Sequence, residues 1–431
     1  MAQTIAKKFS TTIGTEVKIG RVGFTLFNKL DMEDVLILDQ HKDTLLYSKS
    51  FKLRLTDLFF SDSVPTIRYL GLVGAKVYLH RSTVKWNYDY ILDKFKGDST
   101  KKDSTNFDIK KIDLSDIHFI MDDEWIGEKM ELKANNLLAN INSIIGGRIL
   151  IDQVVANKPY YLIQAKKGLR PKALEPKIIK RNKNELYFNP GHLVIKAKDI
   201  QIIKGKFWIE YEFNKPLPYF DGEHIRMTDL NAHIKNASFI EDTIKAEIQA
   251  SVKERSGFEI KKLITSFRMT PEIMELDKLN LITNKSSIGN YYAMQYKDFT
   301  NDFKNYVTKV IMKAHFSNAS ISSDDVAYFA PELGTLKQKI NTSFHFSGTV
   351  ADFEATELVA RYNNSFVRGS FSMRGIPDMR NTQISFSNVM AKTNYGDLMN
   401  WLPALGKIKN FPFEGLGDLN FKGDFKGTLY N

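Results

Sequence analysis

Residues 29–50 read KLDMEDVLILDQHKDTLLYSKS. Apolar residues alternate through Leu30 and Met32, meet Asp34, and resume one step late at Val35 and Ile37. A half-buried strand keeps every second side chain on one face. A lost step therefore marks an extra residue, either a bulge or a corner between two strands. The phrase returns as KIDLSDIHFIMDD around Asp116, IKAKDIQIIKG around Asp199 and IRMTDLNAHIKN around Asp229. In full, the pattern apolar-x-apolar-x-[Asp/Asn]-apolar-x-apolar is centred on Asp34, Asp57, Asp116, Asn136, Asp199, Asp229, Asn318 and Asn388, with a near-copy at Lys278. Independent draws at this composition would give about two matches; eight are present. Asp and Asn suit a break because their short side chains bond nearby backbone groups and tolerate unusual φ/ψ. Each copy is expected to bend a sheet while its apolar face stays on one side. The spacing is too irregular for a β-helix of fixed coil length. A mainly β fold follows: a long, curved sheet that closes, packs on a second sheet, or stays open as a trough.

The chain has 431 residues, 43% apolar and 12% aromatic, enough for several domains or one elongated one. Cysteine is absent, which excludes a disulfide framework and cysteine-ligated zinc without locating the protein. No apolar run approaches the roughly 18–20 residues of a membrane span, and no signal peptide is visible. The net charge of +11 favours a polyanionic partner: nucleic acid, an anionic membrane surface or an acidic protein. Only residues 164–185 concentrate it, with eight Lys/Arg against two Glu. Pro171 and Pro176 mark that stretch as a solvated linker, with a headgroup-contacting patch as the second reading.

Residues 2–14 place Ile5, Phe9 and Ile13 on one helical face, with Gly14 as a C-terminal stop. Strand text dominates afterwards, in segments such as VKIGRVGFTLF, AKVYLHR and GKFWIEYEF. Residues 96–106 form a polar, low-complexity loop. Two short helical insertions, SSDDVAYFAPEL and TNYGDLMNWLPAL, align without gaps at an offset of 72 residues. The alignment pairs Asp325 with Asp397, Phe329 with Trp401, Pro331 with Pro403 and Leu333 with Leu405, an internal repeat.

No catalytic constellation is present. The histidines, among them His41, His80, His118, His224, His233 and His345, lack metal-ligand spacing. His224 and His233 read as ordinary strand residues. Asp122, Asp123 and Glu124 fall where a hairpin turn explains them. There is no phosphate-binding GxxxxGK[ST] loop, and Trp86, Trp125, Trp208 and Trp401 do not cluster with Arg or Lys as a base-stacking platform would. The expectation is a protein that is not an enzyme, with no cofactor or metal and no nucleic-acid partner.

The order of elements carries a resemblance. It opens with Gly14, Thr15, Val17, Ile19 and Gly20, then the Leu-x-Met-x-Asp-Val strand, DTLLY at 43–47, the Val77–Arg81 strand, and Trp86-Asn87. KERSGFEIKKL, LNLITNKSSIG and the Asp-to-Pro helices at 325–331 and 397–403 continue it. This order resembles the N-terminal part of the AsmA-like superfamily, most closely the TamB translocation and assembly module proteins of the Bacteroidota type. The resemblance implies an elongated, curved β-groove (a β-taco of repeating strands) in the periplasm, anchored in the inner membrane. It implies an N-terminal anchor and a C-terminal domain that meets an outer-membrane barrel of the TamA kind, both expected outside this fragment. The organisation expected is an N-terminal module at 1–95, the polar loop, groove repeats at 107–253 and 254–406, and a further strand group begun at 407–431.

The family is associated with outer-membrane biogenesis and with bridge-like phospholipid transport between the inner and outer membranes, which makes phospholipid acyl chains the expected partner. The candidate lining lies on the apolar side of the phrases: Val35, Ile37, Ile117, Phe119, Ile200, Ile202, Leu230, Ile234, Leu279 and Leu281. The competing readings are a closed sandwich core in a structural or adhesive protein, and a scaffold that guides outer-membrane strands by edge pairing.

Overall fold

The computed structural model describes residues 2–25, 29–55, 67–95, 109–145, 147–174, 185–376, 378, 380–401, 415 and 417–428. The fold is mainly β, with 20 strands and only short helices among the described residues. It divides into two compact units, residues 1–241 with 252–255, and 242–251 with 256–431. Asp57, the loop 96–106, Pro403 and Leu405 lie outside the described residues, as does most of the basic stretch beyond Leu174.

Unit 1 opens with α1 (Ala2–Ile13). Gly14 stops it in the left-handed region at φ 84°, its N–H donating to the Ser10 carbonyl at 2.8 Å. The sheet begins with β1 (Val17–Thr25), β2 (Lys29–Leu38), β3 (Thr44–Leu55) and β4 (Ile67–Arg81), paired antiparallel in that order. The chain then crosses through α2 (Asp89–Phe95) to β5 (Lys111–Asp123), which runs parallel to β4. A hairpin closes β5 onto β6 (Glu128–Ile145), but its turn is at 124–127: Asp122 and Asp123, expected in the turn, are paired within β5 and bridge to Lys166 and Arg81. Next, β6 pairs with both β7 (Arg148–Asn157) and β8 (Tyr160–Ala165). These are two halves of one strand, split at Lys158–Pro159 because proline has no N–H for the ladder. Both run parallel to β9 (Val194–Tyr211), and β10 (His224–Ile240) pairs antiparallel with β9.

One line of interruption crosses these strands. The pairs on either side set Gly20 opposite Asp34, Asp34 opposite Lys49, and Lys49 opposite Gly74, and none of these is itself a ladder pair. Gly74 lies beside Asp116, and Asp116 opposite Asn135. Asp34 (φ 50°), Gly74 (60°) and Asp116 (51°) are left-handed, and so are Lys158 (49°), Lys204 (51°) and Asp229 (51°) further along. We call this line the crease. A left-handed residue costs about 1–2 kcal/mol unless it is Gly or, less so, Asn or Asp. The crease must therefore be held by its surroundings. On the apolar face Ser48, fully buried, bonds the Ser50 carbonyl at 2.7 Å. On β9 the freed Lys204 N–H donates to Asn231 Oδ1 at 3.0 Å.

The expected break at Asp199 is not there. Asp199 pairs with Gln153 and with Lys235 in the ladders, and the strand breaks five residues later at Lys204. Asn136 is likewise paired, with Ser115 and Asn157, and the crease passes through the adjacent Asn135.

The strand β11 (Thr243–Glu254) has residues in both units. Unit 2 continues with β12 (Glu259–Met269), β13 (Ile273–Ile282) and β14 (Ser287–Gln295). Helices α3 (Phe299–Lys304) and α4 (Tyr306–Lys309) lead to β15 (Ile311–Ser322), and α5 (Ser323–Val326) precedes β16 (Lys339–Gly348). The remainder is β17 (Asp352–Tyr362), β18 (Ser365–Arg374), β19 (Gln383–Thr393), α6 (Tyr395–Trp401) and β20 (Leu419–Thr428). From β12 to β20 each strand pairs antiparallel with the next, and every ladder shifts register once. The extra residue sits on alternate strands at Lys278, Asn318, Glu357 and Asn388, with φ between 51° and 54°. Neighbouring side chains again satisfy the freed donors. Asn318 N–H reaches Ser343 Oγ at 2.9 Å, and Asn388 N–H reaches Asp424 Oδ1 at 2.7 Å.

The internal repeat has a structural counterpart. Asp325, in α5, accepts from Thr283 Oγ1 and from Lys285 N–H, in the turn between β13 and β14. Asp397, in α6, accepts from Asn363 Nδ2 at 2.9 Å and Ser365 Oγ at 2.6 Å, in the turn between β17 and β18. Both carboxylates are buried. Each short helix therefore pins the hairpin that precedes its own strand.

Candidate functional site

Residues directly opposite in a ladder share a face, so the registers assemble rows that run across the strands. On one side of the unit 1 crease a row runs from Val17 through Ile37, Leu46, Val77, Phe119, Leu132, Tyr161 and Phe207 to Met227. On the other side a row runs from Val22 through Met32, Phe51, Leu72, Leu114, Leu137, Ala156 and Ile202 to Ala232. Next to it Leu30, Leu53, Leu70, Ile112, Ala139, Val154, Ile200 and Ile234 form a third. Every member is apolar, and all lie on one face. Eight of the ten lining residues expected from the sequence are in unit 1, and they fall on these rows or, for Val35, Ile117 and Leu230, between them and the crease; Leu279 and Leu281 lie in unit 2.

Coverage of this face varies along it. At its start Leu30, Met32, Val35 and Leu53 form a buried cluster, with Phe9 of α1 packed on it. Leu30 is 1% exposed, worth about 1.5–3 kcal/mol of transfer free energy. The helix therefore caps the first three strands, and Val35 and Ile37 belong to a closed core. Further along, Ile117, Phe119, Ile200, Ile202, Leu230 and Ile234 are only half-buried.

The opposite face carries the ion pairs, with buried Ile120 and Leu162 beside Glu131 among them. Glu131 takes Lys133 Nζ at 2.6 Å and His118 Nε2 at 2.7 Å. Burial works against its charge, but these partners prevail and hold its carboxyl below the usual range. Arg226 pairs with Glu210 and stacks on Trp208, 5.0 Å from the ring centroid. Trp208 thus serves a surface ion pair. His224 is buried against Glu210 and the Asn214 carbonyl, while His233 bonds Asp199.

Unit 2 has its own apolar face. A row runs from Phe267 through Leu276, Tyr292, Ala314, Phe346, Ala355, Phe371 and Phe386 to Phe425. Its rings touch in sequence, Phe371 to Phe386 at 4.8 Å and Phe386 to Phe425 at 6.4 Å. Beside it Met269, Met274, Met294 and Met312 stand opposite one another on four consecutive strands. Leu279 is buried and Leu281 half-buried on the far side of the bulge at Lys278. Nothing in the linear sequence announces the methionine row, because it exists only through the registers. The breaks at Lys204 and Glu357 were legible as lost steps, but a search restricted to Asp and Asn centres passes them by.

Among the described residues, no group of three or more His, Cys, Asp or Glu side chains is placed to hold a metal ion, and no helix is long and apolar enough to cross a membrane. No protein-family model, curated protein or solved structure matches the chain.

Proposed function

We propose that the apolar face of each unit is a path for phospholipid acyl chains, in a periplasmic, inner-membrane-anchored chain of the TamB kind that supports outer-membrane biogenesis. The observation that carries this reading is the set of unbroken apolar rows, crossing eight or nine strands: Leu72, Ala139 and Ala156 in them are buried, but the large side chains beyond β4 are only half-buried. An ordinary core would bury such rows, and a soluble protein rarely leaves so contiguous an apolar surface without a binding role. Each methylene moved from water onto this face gains about 0.8 kcal/mol, while headgroups stay at the rim in water. The ion pairs on the opposite face are what such a carrier needs toward solvent.

The test is a charge placed on the path. Ile200→Asp and Leu230→Arg put a carboxylate or guanidinium where acyl chains would slide, and burying it unpaired would cost several kcal/mol. On an open face the charge reaches water, so the melting temperature should fall only modestly while co-purifying lipid is lost. In a closed core the same charge would unfold the unit. Circular dichroism melts run beside lipid extraction separate the two, and collapse of the fold with both substitutions would overturn the proposal.

A further inference from the structure

The methionine row of unit 2 is partly roofed by the chain itself. The turn from β12 to β13 is tight, with Thr270 N–H on the Ile273 carbonyl at 2.8 Å. By contrast, β14 and β15 are joined by residues 296–310, which carry α3 and α4 over the apolar face. Tyr306 places its hydroxyl 3.3 Å from Met312 Sδ, 3.7 Å from Met294 Sδ and 3.5 Å from the Tyr292 hydroxyl. Phe303 backs it at 5.9 Å.

This roof is fixed at its ends; α3 is capped by Asp298 and packed through Phe299 and Phe303 on Tyr296, whereas the α4 half is weakly held. Tyr296 and Val310 are buried, and Tyr296 donates to the Thr270 carbonyl at 2.8 Å. Between them, Asn301, Lys304, Asn305, Thr308 and Lys309 are exposed, and Phe299, Phe303 and Tyr306 are only half-buried. Helices of six and four residues cannot stand on their own, and α4 has no side-chain cap. The backbone contact to the next hairpin is Ala351 N–H on the Val307 carbonyl at 2.9 Å. Methionine suits the floor, because an unbranched thioether reshapes around whatever replaces a ring.

Building on the acyl-chain reading above, we propose that the methionine floor under Tyr306 is an acyl-chain site. Residues 296–310 occupy it in place of lipid and yield it to a phospholipid chain. Tyr306 and Phe303 supply the apolar volume that one acyl chain would supply, and the buried ends at Tyr296 and Val310 are the pivots. Lifting the segment breaks few polar contacts, the condition for low-energy local opening.

The chain contains no cysteine, so an engineered pair stands alone. Val307→Cys with Ala351→Cys joins two backbones already in hydrogen-bond contact, and quantitation of free thiols confirms that the disulfide has formed before labelling. The probe is a vesicle of phosphatidylethanolamine and phosphatidylglycerol doped with a phospholipid carrying a diazirine at the end of one acyl chain. Photolabelled residues are read by peptide mass spectrometry. The oxidised pair should lose labelling at Met294 and Met312 and regain it on reduction. Tyr306→Ala should raise labelling there several-fold, with circular dichroism unchanged. Phe371 and Phe119 serve as references. Labelling at these two with none of the three changes at the methionines would overturn the site while leaving the path intact. No labelling on either apolar face of the unaltered chain would overturn the path, and the site with it.

Discussion

Both units crease their sheets, but they do it differently. Across β1 to β6 every strand spends one extra residue at the crease: Ile19 to Val22, Met32 to Val35, Ser48 to Phe51, Leu72 to Ala75, Leu114 to Ile117 and Ala134 to Leu137 are all three-residue steps on one face. Because every strand lengthens equally, the register is the same on both sides, as in Ile19↔Val35 and Arg21↔Glu33. In unit 2 only alternate strands lengthen. The steps from Leu276 to Leu279, Phe316 to Ala319, Ala355 to Leu358 and Phe386 to Val389 gain a residue, while Tyr292, Phe346 and Phe371 sit on strands that keep strict alternation. Each ladder therefore shifts by one. The same bend arises from a uniform insertion or from bulges on every second strand.

The two units also cover their apolar faces differently, which gives the largest expected effect. Leu30 lies in the closed cluster under α1, so Leu30→Ala should cost about 2–5 kcal/mol. Phe371 lies in a half-buried row, and Phe371→Ala should cost clearly less despite removing a larger side chain. Urea melts of the two variants check this. Equal losses would mean that the phenylalanine row is an ordinary core.

An intermediate effect is expected where the helices pin the hairpins. At Asp325 burial opposes ionisation, but the Thr283 and Ser286 hydroxyls and the nearby N–H groups prevail and hold the carboxyl below its usual range. Asp397 behaves alike, held low by Ser365, Asn363 and Asn394 against burial. A depressed folded pKa gives stability that is present above the unfolded value, about 3.9, and lost as pH falls through the folded one. Asp325→Asn should therefore cost about 1–3 kcal/mol at neutral pH and progressively less below pH about 4. Melts of the variant and the parent at both ends of that window test it, and a penalty independent of pH would contradict the account.

How far the sequence could be read follows from the same comparison. Asp34, Asp116, Asp229, Asn318 and Asn388 were legible because a lost apolar step coincided with a residue that tolerates φ near 50°. Lys204 and Glu357 occupy the same conformation without that chemistry. Asp199 has the chemistry without the conformation, since Gln153 and Lys235 hold it in regular ladders. The unbroken rows were visible only as alternation on each strand. Their alignment, including the four methionines, depends on long-range register that no local pattern encodes. The smallest expected effect tests this reading. Lys204→Gly should be neutral or stabilise by up to about 1 kcal/mol, whereas Asp199→Gly should cost about 0.5–1 kcal/mol or more. Thermal melts that reversed this order would move the crease back to Asp199.

The central claim is that a one-sided, half-covered apolar face carries acyl chains. Native mass spectrometry of the chain, purified without detergent from cells with a double membrane, tests it most directly. The account predicts adducts with phospholipid masses that disappear in Ile200→Asp while the protein stays folded. A chain free of bound lipid from the outset, with a cooperative melt, would contradict it.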